Sequence, residues 1–536
     1  MKRIRTQNFR KSRISLLTAA FTVSALALAG CAAGADSSTG GDSSGGSTGA
    51  VNTELTIVLP EEPRTLASWN AYSNDGFPVL RNVGEALINR DPVTNELVGE
   101  LATSWEQVDE SNWQFTLREG VTFHDGTPFN AQNAADGLNY VLSEENAFPV
   151  RNFLGSQTTA TAAGEYLLNI ETADPDPILD LRLYFVTIPS YPSIEADPEG
   201  YETSAMGTGP YKLEEWNRGT SITLVPNEDW WGIAAGEEAK GAQTITKATF
   251  VFRAEPTVRS AMVASGEADF ARWITPEDCD LADGYACVGG PTVETAILRI
   301  DNPHIAMRDI RVRQAIALAF DKEAIMNDIL GGGQTVPQIV APTTLGFNDS
   351  LEPYAYDPEK AKALVAEAKA DGVDVSAPIV VAARSGFIPR AEEITTLIAD
   401  SLNAAGLNAT TSVLETAPAE EQWTLGYDNI PEDRGWVGFW FHGNELFDYS
   451  ASGGYYTCGG AVSAYCNEEV DALYKTALQL SGEDRDLALQ EIAAFIYNDY
   501  GIVPVGQPSF FFGLGDRIEW APRADGFILL KEISLK

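Results

Sequence analysis

Beyond Val51 the chain alternates strand-like with helix-like segments, and this alternation restricts its fold more than any other feature. Glu54 to Leu59 (ELTIVL), Trp113 to Arg118, Ser221 to Val225 and Ala248 to Phe252 are short β-branched or aromatic runs bounded by Pro, Gly and Asn, which predicts strands. Val312, Ala315, Ile316, Ala319 and Phe320 recur at i, i+3, i+4, i+7 and i+8, a single apolar helix stripe. Asp357 ahead of Pro358 reads as a cap and first helical residue, with Gly372 as the stop. Ile394, Leu397, Ile398 and Leu402 form a further stripe, halted by Gly406 and followed by a strand through Thr410 to Leu414. Helix, glycine, strand is the succession of α/β crossover units. Two more helices are expected near 468–480 and 483–498. Short apolar strands follow Pro504, at 509–514 and 526–530, which returns the chain to its first lobe and makes that lobe discontinuous.

With 536 residues, 44% of them hydrophobic, the chain exceeds what one core holds, so two or three lobes are expected. Its formal net charge is −40. The first thirty residues hold six cations (Lys2, Arg3, Arg5, Arg10, Lys11, Arg13) and no acid, which leaves the remainder at −46 and argues against nucleic-acid binding. Those cations precede an apolar run, Ile14 to Ala29, too short and too rich in Ala, Ser and Thr for a membrane-spanning helix. It ends in Leu28-Ala29-Gly30-Cys31 and resembles a bacterial lipoprotein signal, in which Cys31 becomes the lipidated first residue of the mature chain. Residues 32–50 are nearly all Gly, Ser, Thr, Ala and Asp, the composition of a flexible tether.

Four further cysteines fall in two pairs, each eight residues apart. Export predicts the disulfides Cys279 to Cys287 and Cys458 to Cys466, and the competing zinc reading lacks both a CxxC spacing and a neighbouring histidine. The densest aromatic stretch is Gly435 to Asp448 (GWVGFWFHGNELFD), which fits neither a period of 2 nor one of 3.6. Two readings stay open for it, an irregular core crossing and the wall of a small-molecule pocket. In LREGVTFHDGT, His124 points away from Val121 and Phe123 into a turn, a structural histidine. Gly207 to Tyr211 (GTGPY) reads as a hinge between lobes, and Arg308, Arg311 and Arg313 read as an ion-paired face.

Six segments, in order, resemble the extracytoplasmic solute-binding proteins of family 5, the dipeptide and oligopeptide group of ABC importers. They are Leu87 to Leu142, Gly207 to Gly232, Arg259 to Ala271, Asp309 to Gly332, Tyr356 to Ala368, and Cys466 to Tyr474 with Ile502 to Val505 behind it. The resemblance implies a bilobal α/β fold of the periplasmic-binding-protein type, in its type II, large three-domain variant, with a hinged ligand cleft. It implies a first lobe from residues 51–89, 206–293 and 504–536, an extra domain from 90–205 and a second lobe from 294–503, behind a signal peptide (1–30) and a linker (31–50). It also implies a monomer without cofactor or metal, held by lipid at the outer face of the cell membrane, which delivers a peptide or other small solute to ABC permease subunits.

Peptide-binding members carry an aspartate three residues after a tryptophan, where it pairs with the ligand's ammonium. Here Trp436 is followed at that spacing by Phe439, and Trp440 by Gly443, so Glu445 or Asp448 is the substitute to consider. Nickel-chelate relatives use a histidine in this neighbourhood, which marks His442, and Asn444 adds a polar group. The family's Leu-Asp-Pro is replaced by Leu66-Ala67-Ser68-Trp69, so Trp69 and Tyr72 are expected to line the pocket, with Trp273 and Arg384 opposite and the arginine as a carboxylate partner. No catalytic residue is assigned. There is no GxSxG elbow, no HExxH and no phosphate-binding glycine loop. The alternatives to peptide capture are a metal chelate, a sugar, a sensor without transport, and an exported hydrolase.

Overall fold

A computed structural model describes residues 52–536 apart from 71–75, 147, 149, 152–156, 236–243, 281–284 and 386. The signal, Cys31, the linker and Tyr72 lie outside the described residues. The strands of the main sheet are β1 (Glu54–Leu59), β2 (Tyr211–Asn217), β3 (Ser221–Pro226), β4 (Lys247–Phe252), β5 (Phe270–Ile274), β6 (Tyr285–Pro291), β7 (Glu294–Ile300), β8 (Pro378–Arg384), β9 (Asn408–Leu414), β10 (Trp436–Gly443) and β11 (Ile502–Gly515). They pair in the order β9-β8-β10-β7-β11-β5-β1-β4-β3-β2, with β6 also on β11. The expected α/β class holds, and the sheet is mixed: β1 runs parallel to β4, while β7 runs antiparallel to both β10 and β11.

Two apolar masses flank different halves of this sheet. One gathers Leu55, Phe250, Phe270, Leu514 and Ile533 with the extra sheet (Ala102–Asp109, Asn112–Leu117, Leu167–Thr172, Thr158–Ala162) and its helix Ala131–Leu142. The other packs helices Ile310–Ala319, Pro358–Ala370 and Ala391–Ala405 on one face of β7, β8 and β10, and Glu468–Ala477 with Gly482–Asp499 on the opposite face. Pro358–Ala370 and Ala391–Ala405 follow their start and stop signals. Asp357 accepts a hydrogen bond from the Lys360 amide at 2.9 Å, and Gly406 closes Ala391–Ala405 at φ +100°, a conformation that costs glycine least.

Three local expectations are corrected. Gly435 to Asp448 is not an irregular crossing; Trp436–Gly443 is a regular strand, and its pattern is continuous because both of its faces are covered. Of the two short strands expected after Pro504, 509–514 is the end of a longer strand of 14 residues, β11, and Gly526 to Leu529 is irregular. The chain passes between the two halves at Pro291 to Glu294 and along β11 near Gln507, whose amide donates to the Thr292 carbonyl at 2.5 Å. Gly207 to Pro210 is therefore no crossing. It lies inside the first half, with the Gly209 amide on the Val83 carbonyl at 2.9 Å. His124 sits beside it, donating from Nε2 to the Gly209 carbonyl at 3.0 Å. The motif NEDWWG gains a reason there as well, since both indoles, Trp230 (3.0 Å) and Trp231 (2.9 Å), donate to the buried Glu85 carboxylate.

Candidate functional site

The hydrogen-bond ladder between β7 and β10 sets the register Glu294↔Gly443, Thr295↔His442, Ile297↔Trp440. Alternation along β10 then sends Trp436, Trp440 and His442 to one face and Val437, Phe439 and Phe441 to the other. Past Gly443 the chain turns sharply, with Phe447 at φ +56°. The side chain of Asn444 holds that turn, accepting from the Asp448 amide (3.2 Å) and donating to the Asp448 carbonyl (2.9 Å) and to Ser452 Oγ (2.8 Å).

Several of the expected ligand residues are occupied by these structural duties. Asp448 is fully buried and forms a two-pronged pair with Arg485 (Nε to Oδ2 2.8 Å, Nη2 to Oδ1 3.0 Å), and it also accepts from Ser450. Both carboxylate oxygens are engaged in the core, which argues against Asp448 as the substitute for the missing aspartate. Ser452 Oγ lies 2.7 Å from His442 Nε2, and burial lowers that imidazole to a pKa of about 3. Asn444 donates to the same hydroxyl, which thus joins it to a neutral His442. This is a closed core network, not a Ser–His catalytic dyad, because Ser452 is itself fully buried. Among the described residues no group of three or more His, Cys, Asp or Glu is placed to hold a metal ion. Trp69 packs in the first core, its ring 5.1 Å from Tyr201 and 6.1 Å from Phe148, and with Leu66, Ser68 and Tyr201 it borders a small cavity there. Trp436 lies deep in the second half, its ring edge-on to Trp423 at 5.8 Å with the Arg434 guanidinium 5.2 Å away.

Other residues come together at the ends of β7 and β10. Glu445 folds back over Gly443, where an added Cβ would stand 2.5 Å from Glu445 Oε1; glycine at 443 is what makes room for the carboxylate. Gly443 is the register partner of Glu294, so the two carboxylates are neighbours on one side of the ladder. Glu294 is buried, and its Oε2 has no hydrogen-bond partner. Burial, and next the charge of Glu445, raise its pKa to about 8, against the opposing pull of Arg272. Burial likewise raises the pKa of Glu445. Neither carboxylate has a basic side chain within 4 Å among the described residues. Tyr455 completes the group, its ring 4.2 Å from His442 and its hydroxyl shifted upward by burial and by Glu445.

Aromatic rings line the way to this point from both halves. Trp273 stands on a bulge of β5 at φ +52°, and its ring meets Phe510 at 5.4 Å. Phe510 meets Phe441 at 6.3 Å, Phe441 meets Phe387 at 5.9 Å, Phe387 meets Trp440 at 5.5 Å, and Trp440 stacks on Trp423 at 4.4 Å. The Arg384 guanidinium lies 4.0 Å from the Phe387 ring centre and 5.2 Å from that of Trp440, with an ion pair to Glu420 at 3.3 Å. Trp273, Arg384, Trp440 and Glu445 are thus brought into one lining. Glu294, Tyr455, Phe387 and Phe510 join them without having been singled out from the sequence. The signal for Glu294 was an acid heading a run, ETAILRI, that is otherwise apolar but for Thr295 and Arg299. Two disulfides, Cys279 to Cys287 and Cys458 to Cys466, are formed.

Comparison with known proteins follows the same lines. The family model described as bacterial extracellular solute-binding proteins, family 5 Middle, matches residues 96–457, more than half of the chain. The dipeptide-binding protein of Escherichia coli is 25% identical over 335 residues, 57% of this chain and 60% of its own length, so the chain spans less than two thirds of that relative. Among solved structures, an ABC transporter substrate-binding protein from Listeria monocytogenes superposes with a TM-score of 0.78 at 21% identity, covering 90% of this chain and 99% of its own. A dipeptide-binding protein from Pseudoalteromonas, solved with Met-Leu, gives 0.73 at 19%, covering 90% and 100%.

Proposed function

Since the chain belongs to the family 5 bacterial extracellular solute-binding proteins, we propose that it captures a peptide or peptide-like solute outside the cytoplasmic membrane and delivers it to the permease subunits of an ABC importer. The observation that carries this reading is the Glu445 carboxylate, which among the described residues has no ion-pair partner and ends an aromatic lining, while the nearby Asp448 is bound by Arg485. A ligand ammonium placed on Glu445 gains a charge-assisted hydrogen bond in a site largely screened from water. Trp440 then covers apolar parts of the ligand, and Arg384, ion-paired to the exposed Glu420, takes a carboxylate.

In this reading residues 51–89, 206–293 and 504–536 act as one lobe with 90–205 attached, and 294–503 act as the other. They close over the ligand by bending at the Pro291 to Glu294 link and in β11. Lipid on Cys31 keeps the monomer at the membrane beside its permease, and the ATPases on the far side supply the energy. The two relatives named for dipeptides support the ligand class. Native mass spectrometry of the purified protein is the direct test, with a retained peptide expected. Glu445→Gln is expected to weaken peptide binding by about 1.5–3 kcal/mol in titration calorimetry. Recovery of a sugar or a metal chelate in place of a peptide, or steady turnover of bound peptide, would overturn the reading.

A further inference from the structure

One carboxylate is enough for one ammonium, and this cleft has two. Glu294 and Glu445 face each other across the Gly443 notch, and Glu294 Oε2 is buried without any hydrogen-bond donor. The other polar groups at this point are the Tyr455 hydroxyl, the neutral His442 and Arg272 of the facing half, whose field favours an ionised Glu294. Arg272 itself lies against the Trp273 ring at 3.9 Å. A ligand with a single cation would satisfy Glu445 and leave Glu294 a neutral acid with one oxygen unpartnered. A ligand with a second cation gives that oxygen a charge-assisted partner and lets Glu294 ionise.

We propose that Glu294 and Glu445 form a two-carboxylate subsite that selects peptides whose first residue is lysine or arginine, with the α-ammonium on Glu445 and the side-chain cation on Glu294. The claim rests on the peptide reading above and adds a side-chain preference to it. The adjoining aromatic faces of Tyr455 and Trp440 suit a long aliphatic stem that ends in a cation. Arginine, planar and weakly hydrated, matches two neighbouring carboxylates at least as well as lysine.

The test is calorimetric titration of the full mature protein, stripped of retained ligand, with Lys-Ala-Ala, Arg-Ala-Ala and Ala-Ala-Ala. The basic-first peptides are expected to bind about tenfold or more tightly than Ala-Ala-Ala, the scale of a close buried charge pair. In Glu294→Gln that ratio is expected to fall to about one, with thermal unfolding of the variant recorded to show that it is folded. Equal binding of all three peptides by the wild type overturns the subsite and leaves the peptide reading standing, for it means that the two carboxylates share a proton in place of a second cation. A ratio that survives Glu294→Gln also overturns it. Failure of every peptide to bind overturns both claims.

Discussion

Replacing Asp448 by asparagine separates structure from ligand binding in a segment where sequence alone offered both roles. The aspartate and Arg485 are 0% and 1% exposed in their side chains, and two bonds of 2.8 and 3.0 Å join them. Removing one partner of a buried pair costs about 3–5 kcal/mol, because the other charge is left uncompensated. Arg485 also donates to the Ala477 carbonyl at 2.7 Å and to Ser450 Oγ at 2.7 Å, and an asparagine oxygen can still accept from Ser450, so the lower end applies, about 3 kcal/mol. For a cooperative unit of about 200 residues this corresponds to a fall in melting temperature of roughly 6–12 °C. Peptide affinity, measured by calorimetry well below the new melting temperature, is expected to change less than about threefold. A variant of wild-type stability that binds peptide much more weakly would show that the carboxylate serves the ligand and that its pairing with Arg485 carries little of the fold.

Trp440→Ala removes the ring stacked on Trp423 at 4.4 Å, and is expected to weaken peptide binding by about 1–3 kcal/mol and to cost stability as well; unchanged affinity in a folded variant takes Trp440 out of the site. Glu85 gives the pH prediction. Burial, and next the charge of Glu100, raise its pKa from 4.5 to about 7, so the folded state holds a proton that the unfolded state has released. Its contribution is fully present below about pH 4.5 and is lost as pH rises through about 7. Urea unfolding between pH 5 and pH 8 is expected to show that decline, with a shallower one in Glu85→Gln, and equal slopes for the two proteins would refute the assignment.

The sequence carried those parts of the fold that depend on local chemistry. Asp357 with Pro358 marked a helix start and Gly406 a helix end because caps and left-handed stops are set by neighbouring residues. β1 was legible at its observed bounds because its ends fall at polar residues and a proline. β10 was misread as irregular because a strand covered on both faces loses its alternation, and the first part of β11 was missed because Pro504 and Pro508 resemble strand ends when their pairing is unknown. The candidate site was half legible. Trp440 and Glu445 stood out within the aromatic stretch Gly435 to Asp448, and Arg384 as a cation able to meet a carboxylate. Glu294 and Asp448 acquired their different roles only through register and through Arg485, which lies 37 residues beyond Asp448.

The position of β11 also bears on the order in which the chain acquires structure. β11 supplies a neighbour to β5, beside β1, and Leu530 closes a hydrogen bond to Asn82 Oδ1 at 2.7 Å across 448 residues. β5 therefore lacks its outer neighbour until the last segment arrives. Contacts of such long sequence separation carry a large loop-closure cost, so this half is expected to complete its sheet late even though it is synthesised first. For a chain that works outside the cytoplasm, loss of the C-terminal segment is thus expected to unsettle the first half more than the second.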